Sequence, residues 1–326
     1  QLEGDFEVSV YHVGDPWRPA DHRLDFRRLT TASPWVRLTA ELPRRAANQR
    51  ADILHMTYVS PLWSPCPIVL TVHDISYATH PEWFSARDRV VLSATVPWSI
   101  RRAARVITVS ETCRMEIIDH YKVPEAKVVS IPNAAGAAAL PIGKDEAREE
   151  LAGLGINPGR PYLLAVGNLQ PRKNLPRLIE AFRMLVDDGA DLDLVIAGPE
   201  HYRGAEILAS GRQLSDRVHF TGYLSDRQLA ACYRCAEVFA FPSLFEGFGI
   251  PALEAMAHGV PVACSAGGAL ADVCGPAAAY FEPLDVDSIA DTLRRLLEDS
   301  ELRARLSELG RERASGGGLH TEPLSG

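Results

Sequence analysis

The chain has 326 residues, a length that at roughly 100–200 residues per domain calls for two domains rather than one. Apolar residues make up 46% and charged residues 23%, the balance of a globular protein with a sizeable core, which excludes a disordered or fibrous chain. With 42 acids against 34 bases the net charge is -8, which excludes a whole-protein electrostatic footprint for nucleic acid but not a local basic site.

In chain order, short β-branched runs alternate with helical patterns, which predicts an α/β protein with parallel sheets. The strands of the first half are expected at 6–13, 52–55, 68–73, 105–109 and 127–131. Those of the second half are expected at 162–166, 192–197, 218–221, 238–241, 260–264 and 279–281. The stretch 132–160 between the sets is rich in Ala, Gly, Pro and charge and reads as a linker. The predicted organisation is a first lobe over 1–140, a linker over 141–159, a second lobe over 160–313 and a disordered tail over 314–326. Two doubly wound, Rossmann-like lobes would then face a cleft, with ligands at the carboxyl ends of the strands.

Two helices locate the motifs. Asn174 reads as an N-cap, Pro176 fits a first turn, and Leu178, Ile179, Phe182, Leu185 and Val186 form one apolar stripe that Gly189 ends. Pro251 similarly opens a helix carrying Leu253, Met256 and Ala257, which Gly259 terminates. No apolar run approaches the roughly 18 residues of a membrane span, and the start shows no signal-peptide pattern. Six cysteines are too few for a disulfide scaffold, and Cys232 and Cys235 read as two small apolar residues on one helix rather than metal ligands. A cytoplasmic protein with reduced thiols is expected.

No G-x-x-x-x-G-K-[ST], H-E-x-x-H or G-x-S-x-G pattern is present, and Gly153-Leu154-Gly155 precedes a strand instead of following one. The two D-x-D tripeptides, Asp191 with Asp193 and Asp285 with Asp287, could hold a divalent metal but fit solvated turn and cap roles better. Gly167-Asn168-Leu169-Gln170-Pro171-Arg172-Lys173-Asn174 is more informative, because it follows a strand and sets two adjacent cations beside a helix N-terminus, a good anion site. In Phe245-Glu246-Gly247-Phe248-Gly249-Ile250-Pro251-Ala252-Leu253-Glu254 two glycines allow a backbone to approach a ligand, and two carboxylates suit vicinal hydroxyls.

Those two stretches together resemble the donor-binding half of the retaining family-4 glycosyltransferases of GT-B fold. Phe220-Thr221-Gly222-Tyr223-Leu224-Ser225, Phe241-Pro242-Ser243 and Gly259-Val260-Pro261-Val262 extend the resemblance over nearly all of 160–313. Val72-His73-Asp74-Ile75-Ser76 with His80-Pro81-Glu82-Trp83-Phe84 is similar to a bacterial branch containing many mannosyltransferases. The resemblance implies an enzyme that moves a hexose such as mannose from a UDP- or GDP-linked sugar to a carbohydrate or lipid-linked acceptor in polysaccharide biosynthesis. It implies no nucleic-acid partner, and peripheral membrane contact through the first lobe.

Residue by residue, Arg172 and Lys173 would neutralise the diphosphate beside Gly167, and Glu254 would hold the ribose. Tyr223 and Leu224 would line the base pocket. Glu246 and the backbone of Gly247, Phe248 and Gly249 would hold the transferred sugar, with His73 facing it across the cleft. Cations and a helix dipole stabilise a departing diphosphate directly, so no metal and no other cofactor is expected. Family chains open with a strand, a glycine-rich loop and a helix, whereas this chain begins in what resembles the second strand. Pro132-Asn133-Ala134-Ala135-Gly136 stands where the family has Pro-Asn-Gly, and Asp272 where Glu is common. The expectation is an incomplete first lobe, and the alternative reading is a nucleotide-sugar-binding fragment without catalytic activity.

Overall fold

The computed structural model describes residues 6–14, 24–136, 139, 141–214 and 216–317. In the first lobe β1 (Val8–His12) and β2 (Leu24–Arg28) form a separate parallel pair. Strands β3 (Leu54–Thr57), β4 (Ile68–Thr71), β5 (Arg105–Thr108) and β6 (Val128–Ser130) form a parallel sheet in that order. β2 was not expected, because Leu24-Asp25-Phe26-Arg27-Arg28 has no β-branched residue and only two apolar ones.

The second lobe is a six-stranded parallel sheet of β7 (Tyr162–Val166), β8 (Asp193–Ala197), β9 (Val218–Gly222), β10 (Val238–Phe241), β11 (Val262–Ser265) and β12 (Ala278–Phe281). Their order in the sheet is β12-β11-β10-β7-β8-β9. Apart from the edge strand β9, which carries His219 and Thr221, these strands read as largely apolar runs because both faces are covered. Leu164, Val195, Phe239 and Val262 enter the core on one face, and Leu163, Leu194, Val238 and Ala263 enter that on the other. Val109, just past β5, joins the first of these cores, so the lobes share apolar packing at the seam.

Several expectations need correction. The stretch 141–159 is not a bare linker: it holds the helix Lys144–Gly153, which buries Ala147 and Leu151 and lies along the second-lobe helix Asp226–Cys235. A stripe of two apolar residues among charges is too narrow to read as a core helix. At the other end, Arg313–Gly317 continues as helical turn, and the rest of the expected tail lies outside the described residues. Asn174 is not a side-chain cap. It takes a left-handed conformation (φ 55°), and its amide instead donates to the Pro283 carbonyl at 2.6 Å.

Asp193 is buried, not solvated, at the start of β8, where His219 lies 3.0 Å away and Arg160 3.4 Å away. A buried carboxylate needs such partners, which sequence spacing does not display. Asp285 does cap the helix Val286–Glu298, accepting from the Asp287 and Ser288 backbone. Among the described residues, no helix is long and apolar enough to cross a membrane.

Candidate active site

Strand order decides where the site forms. From β7 the chain moves outward through β8 and β9, and from β10 it moves the other way through β11 and β12. The loops leaving β7 and β10 therefore diverge from neighbouring strands and open a crevice at their carboxyl ends, where ligands of such sheets bind. These loops hold the first stretch the sequence marks, 167–174, and the start of the second, 245–254. The Leu244 N–H donates to the Arg172 carbonyl at 2.8 Å and ties them together. Gly167 follows β7 with φ 149°, and a Cβ there would lie 2.8 Å from Lys173 Cε.

At the crevice Arg172, Lys173 and Glu246 form one cluster, in which Lys173 and the Glu246 side chain are buried and Arg172 is half-buried. Lys173 Nζ donates to Glu246 Oε1 at 2.5 Å, and Arg172 Nη1 donates to Glu246 Oε2 and to the Phe245 carbonyl, both at 3.0 Å. The ammonium of Lys173 also lies 4.9 Å from the centre of the Phe241 ring, a cation–π contact. Burial pushes the Lys173 ammonium below its ordinary pKa, while Glu246 pulls it back. Burial alone would raise the Glu246 carboxyl, but Lys173 and then Arg172 outweigh it and hold it below the ordinary range. Within the cluster two cations face one carboxylate, a local excess of positive charge that the more weakly acting Asp74 of the first lobe only partly offsets. That excess attracts an anion.

Glu254 sits one turn into the helix Ile250–Ala257 and is buried. Its Oε2 accepts from the Tyr233 hydroxyl at 3.0 Å, and the Gly136 backbone runs so close to its other oxygen that a Cβ would meet it at 2.3 Å. Burial raises the carboxyl's pKa, partly offset by the Tyr233 and Gly136 hydrogen bonds. Phe248 is buried and Gly249 (φ 111°) opens that helix. Leu224 is buried, while the neighbouring Tyr223 is 79% exposed beyond the end of β9.

The first lobe reaches the same place from the other side. His73, two residues past β4, is half-buried, with its ring 5.8 Å from that of Tyr58. A Cβ on Gly247 would lie 2.5 Å from the His73 carbonyl oxygen, so only glycine admits this approach of the lobes. The Gly247 carbonyl accepts from Ser110 Oγ at 2.8 Å and from Cys113 Sγ at 3.4 Å. Burial pushes the Cys113 thiol up to about 12, so it is a neutral donor and not a thiolate nucleophile. Asp272 of the second lobe accepts from the Thr112 backbone at 3.0 Å and from its hydroxyl at 2.6 Å, in the first turn of the helix Glu111–Tyr121. His80 stacks on Trp83 at 4.1 Å, and both rings meet Phe245 of the other lobe.

The structure thus gathers Gly167, Arg172, Lys173, Glu246, Gly247, Phe248 and Gly249 at the crevice with His73 against them, and seats Glu254 on the adjoining helix. Sequence reasoning missed Tyr233, Ser110 and Glu116. Only Ser110, a helix N-cap before Glu111, carried a local signal. Glu116 has a buried Oε2 without a hydrogen-bond partner, and burial, with the charge of Asp74 second, pushes its carboxyl up to about 7. The folded chain holds that proton more tightly than the unfolded chain, so this group's stabilisation is lost as pH rises from 4.5 through about 7. Glu116→Gln is expected to remove that slope, gaining about 1 kcal/mol above neutrality once solvent screening of a half-exposed side chain is allowed for. Urea unfolding on both sides of neutrality checks this, and an unchanged slope would contradict it.

The comparisons agree with this geometry. A family described as glycosyl transferases group 1 matches residues 146–313, just over half of the chain, and one described as glycosyltransferase family 4 matches residues 2–135. The chain is 33% identical over 277 residues to O-antigen chain mannosyltransferase B of Escherichia coli, covering 80% of this chain and 70% of that one. It is 31% identical over 275 residues to the MMP alpha-(1->4)-mannosyltransferase of Mycolicibacterium hassiacum, covering 76% of this chain and 61% of that one. In fold it is similar to Anabaena HepE in complex with UDP-glucose, with a TM-score of 0.71 at 19% identity over 90% of this chain and 82% of that one. Two lobes of parallel sheet, a basic crevice at the switch of strand order and these matches over both halves carry one conclusion: the chain belongs to the family-4 glycosyltransferases.

Proposed function

We propose that the chain transfers a hexose from a UDP- or GDP-linked donor to a carbohydrate acceptor, free or lipid-linked, with retention of configuration and without a metal. Mannose is the sugar named for the two mannosyltransferase relatives, and UDP-glucose the molecule named for the HepE complex. The single observation that carries the reading is the Arg172–Glu246–Lys173 cluster with its excess positive charge. When the bond to the sugar breaks, negative charge grows on the departing diphosphate. Cations already in place stabilise that charge without reorganising, as does the positive end of the helix Leu175–Asp187 directly behind them. Glu254 would accept from the ribose hydroxyls, and Glu246 would orient the sugar while balancing the cations. No side chain is assigned as nucleophile.

The variants separate these roles. Glu254→Gln is expected to weaken free UDP or GDP by about 1.5–3 kcal/mol, the worth of a hydrogen bond to a charged group. Glu246→Gln removes a negative charge from the cluster, so it should bind free nucleotide at least as well as the parent while losing most sugar transfer. Calorimetry with free nucleotide and with nucleotide-sugar reads both, and a loss of free-nucleotide affinity in Glu246→Gln would reverse the assignment. Transfer is expected to persist in EDTA. Its loss on chelation, with recovery on adding Mg²⁺ or Mn²⁺, would end the metal-free reading.

A further inference from the structure

We propose that Tyr58 is a positioning residue for sugar transfer: it pins the peptide bond that follows His73 and backs the His73 ring. The two residues leave neighbouring strands at the same end. Thr57 closes β3 in register with Thr71, which closes β4. The Tyr58 N–H still donates to the Thr71 carbonyl at 2.9 Å, and the Val59 N–H then turns back to the Thr57 carbonyl at 2.7 Å. Between these two bonds Tyr58 takes a left-handed backbone, φ 58°. A bulky aromatic residue keeps that conformation only where its surroundings hold it, and such residues gather at functional sites.

What the turn achieves is a placement of the tyrosine ring. It packs against the first-lobe core and meets the His73 ring at 5.8 Å and 54°. Burial, with the Asp74 charge second, pushes the phenol above its ordinary pKa, and a hydrogen bond with the Asp74 backbone opposes the rise. A bond that favours the phenolate is one donated to its oxygen, so the Asp74 N–H is the donor. The Arg172 charge also acts on the phenol, which places Tyr58 beside the donor-binding cluster of the other lobe.

A trans peptide sets its carbonyl and its N–H on opposite edges of one plane. For the peptide between His73 and Asp74, the carbonyl edge is the one that Gly247 approaches, where a Cβ would lie 2.5 Å from the oxygen. Tyr58 holds the N–H edge. Beyond it, Asp74 Oδ1 accepts from the Ser76 N–H at 2.9 Å and from its hydroxyl at 2.6 Å, so the chain is fixed on that side as well. With both edges held the plane cannot rotate, and the His73 side chain leaves the backbone in one direction. Tyr58 thus acts through His73. The inference rests on the donor reading above, with His73 facing the transferred sugar as the resemblance implies.

The test is a double-mutant cycle on the full chain. It reads release of UDP from UDP-glucose and of GDP from GDP-mannose, with methyl α-D-mannopyranoside as the acceptor probe and water otherwise. Tyr58→Phe removes only the hydroxyl, and should lower kcat about fivefold, the worth of one neutral hydrogen bond. Affinity for free UDP or GDP and the thermal midpoint should stay as in the parent. Tyr58→Asn suits the left-handed turn but removes the ring too, and should approach the roughly hundredfold loss of an ångström's misplacement. In a His73→Ala background neither change should lower kcat further, because nothing is left to position. Parental turnover in both Tyr58 variants would overturn the proposal. So would an equal loss with and without His73, which would assign Tyr58 to the substrate or to the fold. Both results leave the donor reading standing. If the parent bound neither nucleotide and released none from either donor, that reading would fall and this inference with it.

Discussion

Lys173→Ala is expected to weaken binding of UDP or GDP by about 1.5–3 kcal/mol and to destabilise the fold by about 3 kcal/mol. Both effects come from one ion. The Lys173 ammonium is buried 2.5 Å from Glu246, so its removal leaves that carboxylate with Arg172 as its remaining cation. The local charge then falls from positive to neutral, and the attraction for a diphosphate goes with it. Arg172→Ala should cost binding as much but stability less, because its side chain is 22% exposed against 9% for Lys173. Adding Glu246→Gln to Lys173→Ala should recover much of the stability, since it removes a buried carboxylate that has lost its shorter hydrogen bond, and part of the nucleotide affinity, since Arg172 then again stands as net positive charge. Calorimetry and urea unfolding on the three variants read the two effects apart. Unchanged affinity for both nucleotides in Lys173→Ala and in Arg172→Ala would remove the anion site from this crevice.

Gly247→Ala is expected to cut kcat/KM for sugar transfer by on the order of a hundredfold while leaving free-nucleotide affinity near that of the parent. The added methyl carbon would sit 2.5 Å from the His73 carbonyl oxygen, which is backbone and cannot rotate away. Relief requires the lobes to separate by roughly an ångström, and a misplacement of that size between reacting groups has a cost of this order. The same shift would strain the bonds from Ser110 and Cys113 to the Gly247 carbonyl, while Arg172, Lys173 and Glu254 all lie in the second lobe. Steady-state transfer and calorimetry together decide the matter. Full transfer by Gly247→Ala would mean that the approach of His73 to this loop plays no part in the reaction.

The sequence by itself determined the class of fold, the second-lobe strands and the two stretches that form the crevice. Strands such as Tyr162–Val166 and Val238–Phe241 are legible because burial on both faces leaves an unbroken apolar run, a property of neighbouring residues alone. Arg172-Lys173 and Glu246-Gly247 are legible for a similar reason: a turn between strand and helix needs particular residues at adjacent positions. The strand Leu24–Arg28 and the helix Lys144–Gly153 were not, since each owes its structure to a partner element and not to a strong local pattern. Only the tertiary structure decided how the charges are spent. That Glu246 lies between both cations, that Asp193 is buried against Arg160 and His219, and that Tyr233 holds Glu254 all depend on contacts between residues far apart in the chain. Ser110 meets Gly247 across 137 positions. Electrostatic energy depends on distance and burial in space, and a linear pattern of residues encodes neither until the strand order has brought β7 and β10 side by side.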